Sequence, residues 1–491
     1  MQHQYFLLVP IILPIVAGIL VKLLKMENKT NRQIFVGATI IVNTLITIYT
    51  LLSFQGQYLR LIDLVPGFSI TLGVDSMSVV FGMMVSILWM LTTFYAFGYM
   101  SHEGNEVRFF TFFTCAMGVC IGLALAANLL TFYLFYEFLT FITFPLIIHS
   151  GTDEAITAGR NYLIYSITGA ALALVCIVFI GYYSTGANFT FGGILDMVQA
   201  SNNKELLCFV FLLGFLGFGV KAAVFPMHGW LANAYVAPAP ATALLHAVAV
   251  VKAGVFGIMR LAYFAYGTDL IRGTWVQGVC LGLVFITIIY GSYMAVRTQH
   301  LKKRLAYSTI GQLSYILFAV MLLNPDGLRS GLIYMIFHAI IKITLFFCCG
   351  SIMFTTHETD VNRMDGFGQL MPMTFTCFFI ASLGMMGIPA TAGFIGKWNL
   401  FLAAMQPGSF PYGIIGLLAV AISILLTVIY LMSVIIKAFF IKGESANSML
   451  ASKEAPVIMN VPVFIITVLI LLFGLIPSLV TNFIFTIGTT L

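Results

Sequence analysis

The sequence predicts an all-α protein that crosses a membrane many times. Of its 491 residues, 60% are hydrophobic and only 8% are charged, and the mean hydropathy is +1.04. Soluble domains of ordinary composition carry about 25% charged residues. Apolar runs of about 20 residues, the length that spans a bilayer as a helix, follow one another with no long polar linker between them. Residues 1–491 are therefore predicted to form a single membrane domain.

The apolar runs predict about fourteen membrane spans. In chain order they cover residues 5–24, 33–53, 76–99, 108–126, 129–149, 160–183, 205–225, 240–262, 274–297, 305–323, 329–354, 371–406, 413–438 and 458–484. Two spans contain a proline that should interrupt the helix. The seventh is expected to break at Pro226 and continue at 228–236, and the twelfth to break at Pro389 and resume near Gly393. The first run has no basic leader, so Pro10–Leu24 is predicted to be a retained span.

The basic residues outside the spans predict the orientation. If the loops alternate sides, one side carries Lys22, Lys25, Lys29, Arg32, Arg108, Arg160, Arg297, Lys302, Lys303, Arg304, Arg363, Lys437, Lys442 and Lys453, and the other carries Arg60, Lys204, Arg260, Arg272 and Arg329. By the positive-inside rule the first side is cytoplasmic, and both termini then lie on the outer side of the cell membrane. The net charge of +6 reflects this asymmetry and gives no argument for binding nucleic acid.

A weak internal repeat divides the predicted spans. Leu163-Ile164-Tyr165 in the sixth span recurs as Leu332-Ile333-Tyr334 in the eleventh, and each half places a proline break one span later. Two five-helix units are therefore predicted, spans 4–8 at residues 108–262 and spans 9–13 at residues 274–438. Because five is odd, the units would face opposite ways, which gives the inverted repeat common in transporters. Chance similarity among apolar helices is the alternative.

Two lysines inside apolar runs are the most informative residues of the sequence. Lys221 precedes Pro226 by five positions, and Lys252 follows the same proline after a segment rich in proline and glycine. A lysine at bilayer depth costs roughly 2.5–3.5 kcal/mol and usually marks an ion pathway. Broken helices at that depth line a protein-buried or watery cavity. In the alternative interpretation Pro226 only kinks the helix, and both lysines extend to the membrane surface.

The ionisable residues within the spans form a series. They are Glu137, Lys221, Lys252, His338, Lys342 and Lys397. Glu137 is the one carboxylate well inside a span, and one carboxylate cannot neutralise four lysines. Burial favours a neutral lysine whereas an adjacent carboxylate favours a charged one, so this set is predicted to act as a proton relay. His338 and Lys342 are four residues apart and share a helix face. A static salt bridge at Glu137 is the alternative.

Other polar residues are expected to have accessory or structural roles. His228 and His246 lie near the break and a helix end, and Ser308 and Gln312 are placed to hold water within the tenth span. These histidines, like His149, lack metal-ligand spacing. The eight cysteines lie in apolar runs without a C-x-x-C pair, and phosphate-binding and dinucleotide motifs are absent from the sequence. We therefore expect no metal, cofactor or disulfide framework in this chain.

Two groups of charged residues at span ends have ordinary interpretations. Asp75 is expected to be the N-cap of the third span, with Ser76 as a second possibility. The run of Lys302, Lys303 and Arg304 is expected to lie on the cytoplasmic rim as a set of surface anchors.

Three stretches resemble the signatures of a known family. They are KAAVFPMHGWLANAYVAPAPATALLHAVAVVKAGVF, EFLTFITFPL and LKKRLAYSTIGQLSYI. They are similar to the antiporter-like subunits shared by Mrp-type cation/proton antiporters, respiratory complex I (N-, M- and L-type subunits) and energy-converting membrane-bound hydrogenases. The resemblance extends over nearly the whole chain. It implies fourteen helices, inverted five-helix repeats and proton movement along a central hydrated axis.

The resemblance also implies roles for individual residues. Glu137 is similar to the family glutamate, Lys221 to its partner on the broken helix, and Lys252 to the central lysine. His338 and Lys342 match a basic pair found in some members. Lys397 matches the terminal lysine of the second half, and a lysine there looks closest to the Mrp D-type and complex I N-type subunits.

The implied function is proton translocation by one subunit of a multisubunit complex, most like the Mrp D-type subunit or the equivalent hydrogenase module. Other membrane subunits are the expected partners, and protons, with Na⁺ as a possible second ion, are the expected cargo. No redox chemistry is expected in the chain itself. The alternatives are a subunit of a complex I-type quinone oxidoreductase, a stand-alone secondary cation transporter, and a scaffold that only packs a redox complex.

Overall fold

The computed structural model describes residues 2–65, 68–440 and 454–486, so Lys442 and Lys453 of the predicted cytoplasmic set lie outside the described residues. Within these ranges, eleven helices are long and apolar enough to cross a membrane. The chain is therefore a polytopic membrane protein of mostly helical structure.

The helices α1–α10 are Val9–Leu23, Lys29–Ser53, Ser76–Tyr99, Glu106–Ala124, Leu129–Ile147, Asp153–Tyr183, Met197–Asn202, Lys204–Lys221, Gly229–Asn233 and Ala239–Ala247. The helices α11–α21 are Val250–Met259, Thr268–Ile271, Trp275–Arg297, Leu301–Met321, Pro325–Thr356, Phe367–Leu370, Pro372–Met386, Ala392–Ala404, Tyr412–Phe440, Val457–Leu475 and Ser478–Thr486. Short 3₁₀ segments cover Gln2–Leu8, Met100–His102, Ala234–Val236 and Val361–Arg363, and Arg260–Tyr266 is a π-helix.

Polar side chains fix the starts of several helices. The Asp75 carboxylate accepts a hydrogen bond from the Ser78 amide at 2.8 Å, and the Asn128 side chain accepts one from the Thr131 amide at 2.8 Å. These bonds satisfy backbone donors that have no partner within the helix. The prediction of Asp75 as N-cap is confirmed, and Ser76 is the first residue of α3.

A β-hairpin corrects the all-α prediction. Strand β1, Tyr58–Val65, pairs antiparallel with β2, Phe68–Gly73. The hairpin covers the start of α5, since the Ala127 amide donates to the Thr71 carbonyl at 3.0 Å and Asn128 Nδ2 donates to the Ser69 carbonyl at 2.9 Å. A linker between spans must pair its backbone polar groups where it is buried, and a hairpin does so locally. Membrane hydropathy gave no sign of it because that pattern identifies only long apolar helices.

The seventh span ends earlier than the sequence predicts. Helix α8 stops at Lys221, whereas a break at Pro226 was expected. Proline disfavours helical geometry at the residue before it as well as at its own position. The chain leaves the helix at Ala223, which has φ +58°, and the Phe225 amide donates to Thr287 Oγ1 at 2.9 Å instead of to a helical carbonyl. The chain resumes as α9 and a 3₁₀ turn that together end at Val236, as predicted.

Two further spans are interrupted where continuous helices were expected. The eighth stops at Ala247 and restarts at Val250, although no proline or glycine marks this break. The last stops at Leu475 and restarts at Ser478, because Pro477 cannot continue the helix. The predicted interruption near Pro389 is confirmed by the gap between α17 and α18.

Four arginines or lysines expected at the surface are buried, and one of them, Arg32, is 3% exposed. Arg260 is 0% exposed, and Lys302 and Arg304 are 4% and 3% exposed. The Lys302 ammonium donates to the Ala237 carbonyl at 2.6 Å, and Arg304 Nη1 donates to the Tyr430 carbonyl at 2.9 Å. Burial of these groups is tolerated because nearby carbonyls accept their hydrogen bonds. The rim-anchor interpretation is therefore wrong for Lys302 and Arg304, while Lys303 remains partly exposed.

Arg260, the first residue of the π-helix after α11, links this part of the chain to the start of α3. Its guanidinium forms an ion pair with Asp75, and its Cζ lies 4.7–5.0 Å from the ring centroids of Phe189, Phe256 and Phe264. We expect Arg260→Met to lower the stability of the chain by about 2–3 kcal/mol, because it leaves the largely buried Asp75 carboxylate without its counter-charge.

The matched control is Arg60→Met, which removes the guanidinium of an ion pair whose side chains are 66% and 59% exposed. Such exposed pairs contribute little, so the control should change stability by less than about 1 kcal/mol. Thermal unfolding of the purified full chain in detergent measures both effects. Equal midpoints for the two variants would contradict a stabilising role for Arg260.

Candidate functional site

The ionisable residues of the predicted relay lie in the interior of the helix bundle. Lys221, Lys252 and Lys342 are 0% exposed, and His338 is 1% exposed. Lys397 is partly exposed. The elements that carry these residues are mostly broken or irregular: Lys221 ends α8, Lys252 follows the gap between α10 and α11, and Lys397 follows the gap between α17 and α18. At the gap between α17 and α18, the carbonyls that end the first helix supply polar contacts to Lys397.

Glu137 and Lys221 form the first pair of the site. Glu137 Oε1 lies 3.8 Å from Lys221 Nζ, and the Glu137 side chain is 16% exposed. The Lys221 ammonium donates to the Tyr136 carbonyl and lies 3.4 Å from the centroid of the Tyr136 ring. Oε1 accepts no hydrogen bond within the described residues. The two charges are therefore close enough for strong Coulomb coupling but are not held by a hydrogen bond between them.

Lys252 and His338 form the second pair. The Lys252 amine lies 2.8 Å from His338 Nδ1, and His338 Nε2 has no hydrogen-bond partner in the part of the chain that the structure describes. Two like charges in contact inside a protein repel each other strongly. The pair therefore favours one shared positive charge over two. A proton that arrives at one member is within hydrogen-bond distance of the other.

Lys342 lies one turn after His338 on α15. Its ammonium donates to Ser308 Oγ at 2.7 Å and to the Leu305 carbonyl at 3.0 Å. Ser308 Oγ is 2.5 Å from the Tyr430 hydroxyl. Gln312, one turn along the same helix α14, accepts a hydrogen bond from the Tyr334 hydroxyl. Ser308 and Gln312 thus both make polar contacts in the interior of the bundle.

Lys397 lies in α18, and its side chain reaches the C-terminal end of α17. Its ammonium donates to the carbonyls of Met385 and Met386 at 2.6 and 2.9 Å, the last residues of α17. Carbonyls at a helix C-terminus carry partial negative charge and stabilise a cation. A run of aromatic contacts connects Lys397 to His338: Lys397 Nζ is 5.7 Å from the Tyr315 ring centroid, Tyr315 and Tyr334 are 5.7 Å apart, and Tyr334 and His338 are 6.2 Å apart.

Carboxylates are scarce around these lysines. Among the residues that the structure describes, Lys221 pairs with Glu137, whereas Lys252, Lys342 and Lys397 have no carboxylate within 4.0 Å. Their contacts are backbone carbonyls, a hydroxyl and an imidazole. Three lysines in the described interior therefore have hydrogen-bond partners but no neutralising charge.

The remaining predicted polar residues lie beside this site. His246 is 0% exposed and neither ring nitrogen has a hydrogen-bond partner in the described chain. His228 immediately precedes α9, with its ring 4.6 Å from that of Tyr290. Sequence reasoning missed the burial of Lys302, whose ammonium contacts the segment between α9 and α10. Nothing in the sequence distinguishes Lys302 from the neighbouring Lys303.

Comparison with known proteins identifies the family. A family model described as NADH:quinone oxidoreductase/Mrp antiporter, TM, matches residues 126–427, more than half of the chain. The A/B component of a probable K(+)/H(+) antiporter from Rhizobium meliloti is 32% identical over 377 residues, which are 76% of this chain and 37% of that protein. The A component of the Na(+)/H(+) antiporter from Alkalihalophilus pseudofirmus is 29% identical over 434 residues, 84% of this chain and 53% of that protein. The chain thus spans about half or less of these two relatives.

Solved structures share the fold. A chain of the archaeal membrane-bound sulfane sulfur reductase matches with a TM-score of 0.85 and 23% identity, over 98% of this chain and 96% of that one. A chain of the Mrp complex from Dietzia sp. DQ12-45-1b matches with a TM-score of 0.83 and 20% identity, over 100% of this chain and 98% of that one. A chain of respiratory complex I from Thermus thermophilus matches with a TM-score of 0.80 and 21% identity, over 99% of this chain and 98% of that one.

The family match covers Glu137 and all four in-span lysines of the site. The buried lysines, the broken helices and the match over residues 126–427 agree on one assignment. The chain belongs to the NADH:quinone oxidoreductase/Mrp antiporter family of membrane proteins.

Proposed function

We propose that this chain is the proton-translocating, antiporter-like subunit of a multisubunit membrane complex. The observation that carries the proposal is the set of three buried or half-buried lysines without carboxylate partners in the described chain: Lys252, Lys342 and Lys397. An intramembrane lysine is expensive to keep. A lysine that changes between charged and neutral forms needs polar contacts for both forms, and carbonyls, hydroxyls and an imidazole supply them without fixing the charge.

The proposed path follows the order of these contacts. A proton enters from the cytoplasm near Lys221 and Lys252, crosses through His338 and Lys342, and leaves through Lys397. The 3.8 Å separation of Glu137 and Lys221 provides the gate, because a charge that moves toward or away from Glu137 changes the electrostatic potential along the path. His228, His246, Ser308 and Gln312 are accessory positions for water along the way.

We also propose the finer architecture of fourteen spans with inverted repeats at residues 108–262 and 274–438, and with both termini outside. Equivalent contacts in the two halves support the repeat. Tyr165 of α6 lies against Gly229 of α9, and Tyr334 of α15 lies against Gly396 of α18. In each half, the helix with this tyrosine therefore packs on the second piece of the broken helix.

Partners and cargo follow from the relatives. Those named above are A-type or A/B-type components of Na(+)/H(+) and K(+)/H(+) antiporters, so the proposal includes A-type as well as D-type roles. The partners would be other membrane proteins of the same complex, and a monovalent cation would exchange for protons. The alternative of a complex I-type proton-pumping subunit has support from the fold. An antiporter subunit and a complex I-type subunit would use the same relay.

Substitution of Lys342 tests the proposal. We expect Lys342→Leu to reduce proton flux by at least about tenfold, because leucine removes the ammonium that contacts Ser308 and cannot carry a proton. The measurement uses membrane vesicles that contain the assembled complex, with a pH-sensitive dye that follows the response to added NaCl or KCl. The amount of assembled complex is measured in the same vesicles.

The matched control is Lys437→Leu, because Lys437 lies near the end of α19 and hydrogen-bonds to exposed Asn362 outside the site. The control should keep nearly normal flux. Normal flux in an assembled Lys342→Leu complex would remove this lysine from the path and would favour a role as scaffold.

A further inference from the structure

A cavity of about 760 Å³ with several charged lining residues, none of them in the relay, lies in the N-terminal part of the chain. It is bounded by the end of α1, the loop to α2, and the start of α4. Pro145, near the end of α5, closes one side. Because α1 and α4 pack side by side and the cavity lies where one ends and the other begins, it is at one face of the bundle, level with the surface of the bilayer. Apart from Pro145, its lining precedes residue 126, where the family match begins.

The cavity carries an excess of positive charge. Its charged lining residues are Lys22, Lys25, Arg32 and Arg108, with Glu27 and Glu106. Glu106 is already paired with Arg32. The side chains of Lys22, Lys25 and Arg108 form no hydrogen bond or ion pair with other residues in the described ranges. Three cationic side chains are therefore free to bind an anion from outside the chain.

Arg32 forms the floor of the cavity. It was predicted to be a cytoplasmic loop residue, but it lies in the first turns of α2 and is only 3% exposed. Its Nη1 donates to the carbonyls of Met26 and Glu27 at 2.8 and 3.0 Å, and its Nη2 donates to Glu106. Its Nε has no partner in the described chain. Arg32 therefore contributes a fixed positive charge beside the cavity, while its Nη1 and Nη2 bonds hold the loop between α1 and α2 against the start of α4.

The N-terminus of α4 adds further donors. Asn105 precedes the helix with φ +46° and does not cap it with its side chain. Gly104, Asn105 and Glu106 line the cavity at this helix end. First-turn amides of a helix point along its axis and favour a negative charge. The first turn of α4 and the free side chains of Lys22, Lys25 and Arg108 thus surround one volume.

The wall of the cavity changes from polar to apolar along α4. Thr111 and Phe112 follow Arg108 by one turn, and Pro145 faces them from α5. Leu23 and Leu24, between the two lysines, are 70% and 61% exposed. A small soluble anion gains nothing from such a wall, whereas a phospholipid has a charged headgroup and apolar chains. Basic pockets between membrane helices bind the headgroups of anionic lipids in this way.

We propose that this cavity is a binding site for an anionic phospholipid. The phosphate group contacts Lys25, Arg108 and the first amides of α4, and an acyl chain runs along Phe112 and Pro145 into the bilayer. This site is separate from proton translocation and does not depend on it. It would attach the N-terminal helices to the leaflet that carries anionic lipid.

Native mass spectrometry of the purified full chain in detergent tests the proposal, with phosphatidylglycerol as the probe. We expect Lys25→Gln/Arg108→Gln to weaken binding of the first phosphatidylglycerol by about tenfold or more, because each basic residue near an anionic headgroup contributes about 1 kcal/mol. Neither side chain has a partner within the described chain, so the fold should be retained, and the thermal midpoint checks this.

The matched control is Arg160→Gln/Arg297→Gln, which removes two exposed charges on the same predicted side but outside the cavity. It should bind the lipid as the wild type does. Equal binding by the cavity variant and the control would overturn the proposal.

The wild-type chain provides a second, independent measurement. Phosphatidylglycerol should bind at least about tenfold more tightly than phosphatidylcholine, whose headgroup is neutral overall, and inorganic phosphate at millimolar concentration should not displace it. Equal binding of the two lipids would contradict a site selective for anionic lipid. Displacement by inorganic phosphate would show a site for the free anion and would overturn the lipid assignment.

Discussion

Arginine at position 252 or 397 is expected to abolish most proton transport while the protein remains in the membrane. A lysine in the proposed relay must lose its proton in each cycle, and arginine stays protonated because its pKa lies above about 12. Lys252→Arg keeps the positive charge beside His338, and Lys397→Arg keeps it beside the carbonyls of Met385 and Met386. We expect each variant to reduce proton flux in vesicles by at least about tenfold.

Lys303→Arg is the matched control, since Lys303 is partly exposed and its ammonium lies 5.4 Å from the centroid of the Tyr235 ring. That variant should transport protons normally. The amount of assembled complex must be measured for each variant, because the longer guanidinium at the fully buried position 252 can also disturb packing. Near-normal flux in both Lys252→Arg and Lys397→Arg would show that these lysines supply only fixed positive charge.

Much of the fold was predictable because membrane spans depend on length and hydropathy. Helix α3 has the predicted bounds, Ser76–Tyr99, and the interruption near Pro389 was predictable from proline chemistry. The gap between Ala247 and Val250 was not, since Val248 and Ala249 are compatible with a helix and the break depends on tertiary packing. The β-hairpin was missed because only spans of helical length were considered.

The members of the candidate site were predictable, but most of their partners were not. Glu137 and Lys221 are 84 residues apart in the sequence; the family resemblance implied that they pair, and they lie 3.8 Å apart. The contact of Lys252 with His338 joins α11 to α15, which only the packed structure reveals. Arg260 and Lys302 were placed at the surface because a basic residue near a span end has the same local sequence whether it is buried or exposed.

Neutralising Glu137 is expected to stop ion pumping in a complex that still assembles. Glutamine keeps the shape of the side chain and its hydrogen-bonding oxygen but removes the charge that lies 3.8 Å from Lys221 Nζ. Without that charge, the Coulomb coupling between this position and Lys221 disappears. We expect Glu137→Gln to reduce proton flux by at least about tenfold, measured in vesicles with normalised complex abundance. Glu154→Gln is the control, because Glu154 is exposed. Its carboxylate oxygen accepts a hydrogen bond from the Tyr235 hydroxyl at 2.7 Å, and the amide oxygen of glutamine can accept the same bond.

A double variant separates a gate from a static salt bridge. In a static pair, Glu137→Gln harms the protein because Lys221, which is 0% exposed, is left buried without its counter-charge. Removing both charges in Glu137→Gln/Lys221→Gln would relieve that cost and restore transport. In a gate, the charges themselves perform the coupling, so the double variant remains as inactive as the single one. Recovery of flux in the double variant, or wild-type flux in Glu137→Gln alone, would assign this pair a structural role and leave proton transfer to Lys252, His338, Lys342 and Lys397.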